Sequence, residues 1–169
     1  RDLPGSLAAR EAIVRNGLEY LDRLAAAGNT DPEVRRDLAS AYLRIAEVQG
    51  AVLASNKGDV AGALASYRKG IAVLTPLPPD KESGVLMLEL HRGLSQVLSS
   101  RGGPEAQRVA DEAIGVAQGL RQRFPQDDDV AARLAGLYQG AAFAARVAGQ
   151  APQSLEWAAK ARDLFRELV

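Results

Sequence analysis

The chain contains no cysteine, one histidine and one methionine, and aromatic residues make up only 5% of its 169 positions. Without cysteine there are no disulfides, no zinc–thiolate centres and no cysteine nucleophile. The single histidine, His91, cannot form a metal site alone, and the sequence offers no nucleophile paired with it. We therefore predict no catalytic residue, no metal ligand and no cofactor, and we expect His91 to lie on a helix surface.

The chain also lacks an excess of charge of either sign. It has 21 basic and 21 acidic residues, so its formal net charge is zero. Binding to nucleic acid or anionic lipid usually needs a basic surplus, and no apolar run approaches the roughly 18–20 residues of a membrane span. We expect no nucleic-acid partner and no membrane contact. Because the chain starts at Arg1 and its only methionine is Met87, it is expected to be a processed product or part of a longer protein.

Helical periodicity, interrupted by glycine and proline, is what the sequence does contain. It predicts an all-α domain of about seven helices, because the alternation typical of strands is absent. An N-terminal helix over 6–27 precedes three antiparallel helix pairs at about 31–75, 80–124 and 128–169. Asp31 is predicted to cap the second helix ahead of Pro32, and Asp128 or Asp129 to cap the sixth. Gly28 is predicted to end the first helix.

Apolar residues at helical spacing indicate helices, and on some helices they also predict which residues point inward. On the first helix the stripe comprises Ile13, Gly17, Leu18, Leu21 and Leu24. On the seventh helix, the residues predicted to point inward are Leu155, Ala158, Ala161, Leu164 and Phe165. Trp157 lies beside this second stripe, where it could cap the end of the domain or contact another subunit.

Three helix pairs each carry a large and then a small residue before a glycine turn, and an aromatic residue follows these two in the first and third pairs but not in the second. In the first pair, Leu38-Ala39 and Tyr42 precede Gly58-Asp59, and the stretch "GDVAGALASYRKGI" follows with Ala63, Tyr67 and Gly70. Weaker copies of this second half lie in the other two pairs: the second pair contains Ala106, Ala110 and Ala113, and the third contains Ser154, Ala158 and Ala161. The pattern resembles the tetratricopeptide repeat. This resemblance implies a right-handed superhelix with a concave face that binds a polypeptide.

Two departures from the repeat concern its spacing. An insertion of about twelve residues, 46–57, follows Tyr42, and it could lengthen the second helix or fold over the groove. In the third pair, the gap from Tyr138 to Gly149 is about two helical turns longer than usual.

A narrower resemblance comes from "DLPGSLAAREAIVRNGLEYLDRLAA", "AYLRIAEVQG" and "GDVAGALASYRKG". These stretches resemble the region behind the transmembrane helix of many bacterial serine/threonine protein kinases, which have Ser-Thr-Pro where this chain has Ser6-Leu7-Ala8. The resemblance implies the sensor or docking part of a membrane kinase, on the extracytoplasmic side. Without it, a cytoplasmic location would be expected. The chain contains none of the kinase motifs, so it is not predicted to be an enzyme.

The repeat resemblance also implies which residues face the groove. They are Glu33, Arg36, Ser40, Leu43 and Arg44 in the first pair, Glu89, Arg92, Gln96 and Ser99 in the second, and Ala132, Gly136 and Gln139 in the third. Arg36, Arg44 and Arg92 could bind carboxylates through paired hydrogen bonds, or could simply be solvated surface residues. The expected partner is another protein or peptide. The alternative is a structural module that forms a homodimer.

Overall fold

The computed structural model of the chain describes residues 6–28, 30–51, 59–78, 80–99 and 104–168. All regular secondary structure in these ranges is helical, which confirms the predicted all-α class with seven helices. In chain order the helices are α1 (Ser6–Ala26), α2 (Pro32–Ala51), α3 (Val60–Leu74), α4 (Lys81–Ser99), α5 (Pro104–Arg123), α6 (Asp128–Val147) and α7 (Ala151–Glu167).

The chain divides into two compact units, Arg1–Leu77 and Pro78–Val169. In the first unit, α2 packs on α3, and α1 packs on α2 less extensively. In the second unit, α5 packs on both α4 and α6, and α6 also packs on α7. Within each unit, helices that follow one another in sequence pack against one another, as short connections favour. The single domain of three helix pairs stays a prediction.

Aspartate caps explain where four of the helices begin. Each cap accepts a hydrogen bond, between 2.7 and 3.0 Å long, from a backbone N–H two or three residues later: Asp31, Asp59, Asp80 and Asp127. The predicted cap at Asp31 is confirmed. For α6 the prediction was wrong, because Asp127 is the cap, and Asp128 and Asp129 lie in the first turn, where the helix dipole favours their charge.

Two further predictions concern where helices end. Gly28 follows α1 with φ of +67°, the left-handed conformation that glycine adopts readily, so its predicted role at this end is confirmed. At the start of the inserted segment, α2 continues to Ala51, so residues 46–51 lengthen this helix. Residues 52–57 lie outside the described residues.

In the first unit, a small core is joined to a polar link between three helices. Leu21, Leu38 and Tyr42 form the core, and the Tyr42 hydroxyl donates to Asp22 at 2.7 Å. Lys69 donates to both carboxylate oxygens of Asp22, also at 2.7 Å. Partial burial opposes ionisation of Asp22, but the hydrogen bonds from Lys69 and Tyr42 outweigh it and lower its pKa. Burial and the nearby carboxylate raise the pKa of Tyr42.

The core of the second unit is continuous from α4 to α7. It contains Leu88, Ile114, Ala117, Leu120, Val130, Leu134, Tyr138 and Ala161. Trp157 is half-buried and stacks on Tyr138 with ring centroids 5.3 Å apart. The Lys160 ammonium lies 4.4 Å from the Trp157 ring centroid. Trp157 therefore contributes to the unit's own packing.

Several burial predictions were wrong. Leu155 and Phe165 on α7 are 72% and 41% exposed, and Ala158 is exposed as well. On α1, where the apolar spacing predicted a helix and no buried face, Ile13 is 72% exposed and Leu24 is also exposed. Periodicity identifies residues that share a helix face, but it does not establish that another helix covers that face.

His91 also differs from its prediction, because it is buried rather than on the surface. Its Nδ1 lies 2.8 Å from the Met87 carbonyl oxygen, one helical turn earlier. Because a carbonyl only accepts, Nδ1 carries the proton in this contact. The bond to the backbone explains how a polar ring is accommodated inside the unit.

Gly84 fixes the approach of α4 to α5 and provides a test of the packing. A methyl group at Gly84 would overlap the buried Leu120 side chain. We expect Gly84→Ala to destabilise the protein by about 1–3 kcal/mol, because the strain of overpacking exceeds the gain in helix propensity. Urea unfolding followed by circular dichroism measures this change.

Gly115 on α5 is the matched control, because a methyl group there meets no atom within 4 Å. Gly115→Ala should stabilise the protein by about 0.5–1 kcal/mol, as expected for an unhindered position inside a helix. Equal effects of the two substitutions would contradict the close packing of α4 on α5.

Candidate functional site

A groove of about 1140 Å³, here called the α4–α6 groove, is lined by residues of α4, α5 and α6. The α4 wall is largely polar and includes Glu89, Arg92, Ser95, Gln96 and Ser99. The α6 wall is mostly apolar beyond Arg133 and includes Gly136, Leu137, Gly140, Phe143, Ala144 and Val147. Between them, α5 contributes a floor of Ala106, Gln107, Ala110, Ala113 and Ile114. The two walls therefore present different chemistry to an occupant.

The sequence of each helix explains its contribution to the groove. On α4, polar residues recur every three or four positions and share one face, while Leu90, Leu94 and Val97 are buried. On α5, alanines dominate the lining, and their short side chains leave the floor deep. On α6, the additional turns after Tyr138 provide Phe143 and Val147.

Large apolar side chains lie unusually open along the α6 wall. Phe143 is 59% exposed and Val147 is 72% exposed. The Arg146 guanidinium lies 5.2 Å from the Phe143 ring centroid, outside the groove lining. Exposed apolar side chains that cluster beside polar residues are typical of surfaces that bind other proteins.

A network of charged residues lies at one end of the groove. Glu89 pairs with Arg92 at 2.7 Å and with Arg133 at 2.5 Å, and Arg133 also pairs with Asp129 at 2.9 Å. Partial burial would raise the pKa of Glu89, but the hydrogen bonds and charges of the two arginines outweigh burial and lower it. This network fixes the arginines beside the groove in their charged, hydrogen-bonded form.

The polar side chains that line the groove include one histidine, which is hydrogen-bonded within its own helix. His91 lines the groove, but its Nδ1 is hydrogen-bonded to the Met87 carbonyl oxygen. Its Nε2 lies 3.7 Å from a carboxylate oxygen of Glu112. Within the described ranges, no three histidine, aspartate or glutamate side chains are grouped so that they could hold a metal ion. In the same part of the chain, no helix combines the length and apolarity required to cross a bilayer.

The predicted binding residues lie in different places. Glu89, Arg92, Gln96 and Ser99 line the α4–α6 groove together, and Gly136 joins them from α6. Gln139 instead lines a smaller depression between α6 and α7, and Ala132 is exposed. In the first unit, Glu33 and Arg44 are exposed, whereas Arg36, Ser40 and Leu43 are half-buried. Polypeptide binding by all of these residues stays a prediction.

The prediction missed most of the α6 wall, namely Arg133, Leu137, Gly140, Ala141, Phe143, Ala144 and Val147. The expected positions on α6 followed the repeat pattern, whereas the groove lining continues at helical spacing through the longer end of this helix. The detectable signal was the lengthened interval from Tyr138 to Gly149. It indicated additional turns of helix, and those turns carry Phe143 and Val147.

The Glu89 network makes the stability of the protein depend on acidic pH. Because the folded-state pKa of Glu89 is below its ordinary value of 4.5, its ion pairs contribute fully above that value. This contribution is lost as pH falls through the lowered pKa. We expect Glu89→Gln to reduce the free energy of unfolding by about 1 kcal/mol near neutral pH, with a difference that shrinks below pH 4.5. Urea unfolding across this pH range measures it.

Glu156→Gln on α7 is the control, because the pair of Glu156 with Lys160 joins two exposed side chains on one helix. Its effect should stay within about 0.5 kcal/mol at neutral pH. A difference between wild type and Glu89→Gln that is constant with pH would contradict the lowered pKa of Glu89.

Comparison with known proteins does not assign the chain to a family. No protein-family model matches the chain, and no curated protein matches it. The resemblances to tetratricopeptide repeats and to bacterial kinase sensor regions therefore remain predictions from the sequence, and the α4–α6 groove has to be interpreted from its own chemistry.

Proposed function

We propose that the chain is a non-catalytic interaction domain and that its α4–α6 groove binds a segment of another polypeptide. The observation that supports this most directly is the pair of exposed side chains, Phe143 and Val147, along a groove of about 1140 Å³. Exposing these apolar side chains to water is unfavourable. A partner that covers them removes that cost and gains affinity from it.

The length of the groove suits a short peptide segment. From Leu88 to Ser99, the α4 wall extends about 16 Å along the helix axis. About five residues of an extended peptide, or three turns of a helix, cover this length.

The unlike walls define how such a segment would be oriented. Apolar side chains of the partner would contact Phe143, Val147 and the alanines of α5. Ser95, Gln96 and Ser99 on α4 carry side chains that donate and accept hydrogen bonds, and they would bind polar groups on the opposite side of the partner. Arg92 would be available for a carboxylate, although it already shares Glu89 with Arg133.

The biological context that we propose rests on the sequence resemblance. The stretches that are similar to tetratricopeptide repeats and to bacterial kinase sensor regions support a sensor or docking role. The attached catalytic domain would then be a membrane serine/threonine kinase. The domain would bind its partner outside the membrane and would not itself catalyse a reaction.

The groove can be tested by filling it without disturbing the fold. Gly140 lines the groove, and a methyl group added there meets no atom within 4 Å. Peptides selected from a random library on the wild-type chain should bind Gly140→Leu at least about tenfold more weakly, because the leucine occupies their site. Fluorescence anisotropy of the labelled peptides measures their affinity.

Gly115→Leu is the matched control, since this α5 glycine is equally unhindered and lies outside the groove lining. It should leave the peptide affinities unchanged. Phe143→Ser should also weaken binding, because it removes an exposed apolar contact. Peptides that bind Gly140→Leu and Phe143→Ser as tightly as wild type would disprove the groove as the binding site.

Homo-oligomerisation is a second candidate, favoured by the outer face of α1. Ile13 and Tyr20 are 72% and 62% exposed on this face. If the face joins two copies, light scattering during gel filtration should give a dimer mass that Ile13→Ser with Tyr20→Ser reduces to that of a monomer. A monomer mass for wild type at every concentration would reject this candidate.

A further inference from the structure

The outer side of α7 is a second surface with its own chemistry. Leu155, Ala158, Arg162, Phe165 and Arg166 share this side at helical spacing, and all five residues are exposed. We call these five residues the α7 face. Its C-terminal half borders a depression of about 680 Å³ that α6 also lines.

Helix α5 has a side with the same residue spacing as the α7 face, and the neighbour of that side indicates what kind of element could cover the α7 face. Ser154, Ala158 and Ala161 on α7 repeat the spacing of Ala106, Ala110 and Ala113 on α5. In this alignment, Arg162, Phe165 and Arg166 correspond to Ile114, Ala117 and Gln118.

On α5, those positions are covered by a helix. Ile114 and Ala117 are buried in one cluster with Val130, Leu134 and Tyr138 of α6. Gln118 donates a hydrogen bond to the Tyr138 hydroxyl at 2.8 Å. The three α6 residues are spaced four apart and form one apolar stripe. A helix with such a stripe is therefore the geometry that fits this type of face.

The α7 face carries two arginines where the aligned positions of α5 carry uncharged residues, and this difference restricts the charge of a partner. Arg162 and Arg166 line the depression beside apolar side chains, and no acidic residue lines it with them. Both arginines share the exposed carboxylate of Asp163, at 2.9 and 3.9 Å. A partner with acidic side chains beside its apolar stripe would complement them.

A second copy of the same face would not supply that complement. In a twofold dimer the same residues face each other, so Arg162 and Arg166 of both copies would share one interface. In each copy the carboxylate of Asp163 supplies one negative charge for two arginines, so both sides of the interface would carry net positive charge. Like charges brought together across an interface oppose association.

We infer that the α7 face docks an acidic amphipathic helix of another protein. Its apolar residues recur every fourth position and cover Phe165, Ala158 and Leu155. Glu or Asp residues on the flank of its stripe pair with Arg162 and Arg166. This surface is separate from the α4–α6 groove, since none of its five residues lines that groove.

Two synthetic helical peptides test this inference on the full chain. Both carry valine, leucine and tyrosine four residues apart, and they differ only in having glutamate or lysine on the flank of the stripe. By fluorescence anisotropy at low salt, the glutamate peptide should bind at least about tenfold more tightly than the lysine peptide. Arg162→Glu with Arg166→Glu should reverse this preference, and Phe165→Ala should weaken binding of the glutamate peptide.

Arg15→Glu with Arg23→Glu on α1 is the control, because it makes the same change in net charge in the first unit. It should leave the preference intact, as should Gly140→Leu, which fills only the α4–α6 groove. Thermal unfolding of each variant verifies that it is folded.

Three results would overturn the inference. The first is equal affinity for the two peptides, and the second is an unchanged preference in the Arg162/Arg166 variant. The third is a dimer of the wild-type chain that Leu155→Lys converts to a monomer, because the occupant would then be a second copy.

Discussion

The packing of α5 against both α4 and α6 is the constraint on which the second unit depends. Ala113 and Ala117 on α5 are almost completely buried, and their small side chains let the neighbouring helices approach closely. Gly84 allows a similarly close approach of α4 to Leu120. Because α4 and α6 are each held by α5, the space between their exposed sides becomes the α4–α6 groove. The groove is thus a consequence of how the core is packed.

The two surfaces that we propose on the second unit differ in the partner that each would favour. The α4–α6 groove has an apolar wall, a polar wall and arginines already paired with Glu89. The α7 face combines apolar side chains with two arginines that share the exposed carboxylate of Asp163. Charge should therefore matter less in the groove and more on α7. A domain with two such surfaces could hold two polypeptides at once, which suits a docking role.

Much of the fold could be predicted because local signals determine where helices begin and end. Asp31 with Pro32 marked the start of α2, and Gly28 marked the end of α1. Burial was harder to predict than helix ends, since Leu155 and Phe165 have the spacing of a core face but are exposed. His91 was predicted on the helix surface but is buried. Its burial depends on helix packing, which the sequence of one helix does not reveal, and its ring is accommodated by the hydrogen bond to the Met87 carbonyl oxygen. Four residues of the α4 wall were among the groove positions that the repeat resemblance implied. The α6 wall depended instead on extra turns that shift the lining away from the repeat pattern.

We propose above all that a polypeptide binds in the α4–α6 groove. Amide chemical shifts of the isotope-labelled chain, recorded with and without a selected peptide, test it most directly. We predict shift changes concentrated in residues 88–99, 106–114 and 133–147, with α2 unaffected. Changes centred instead on the exposed side of α2, around Glu33 and Arg44, would contradict this account and move the binding site to the first unit.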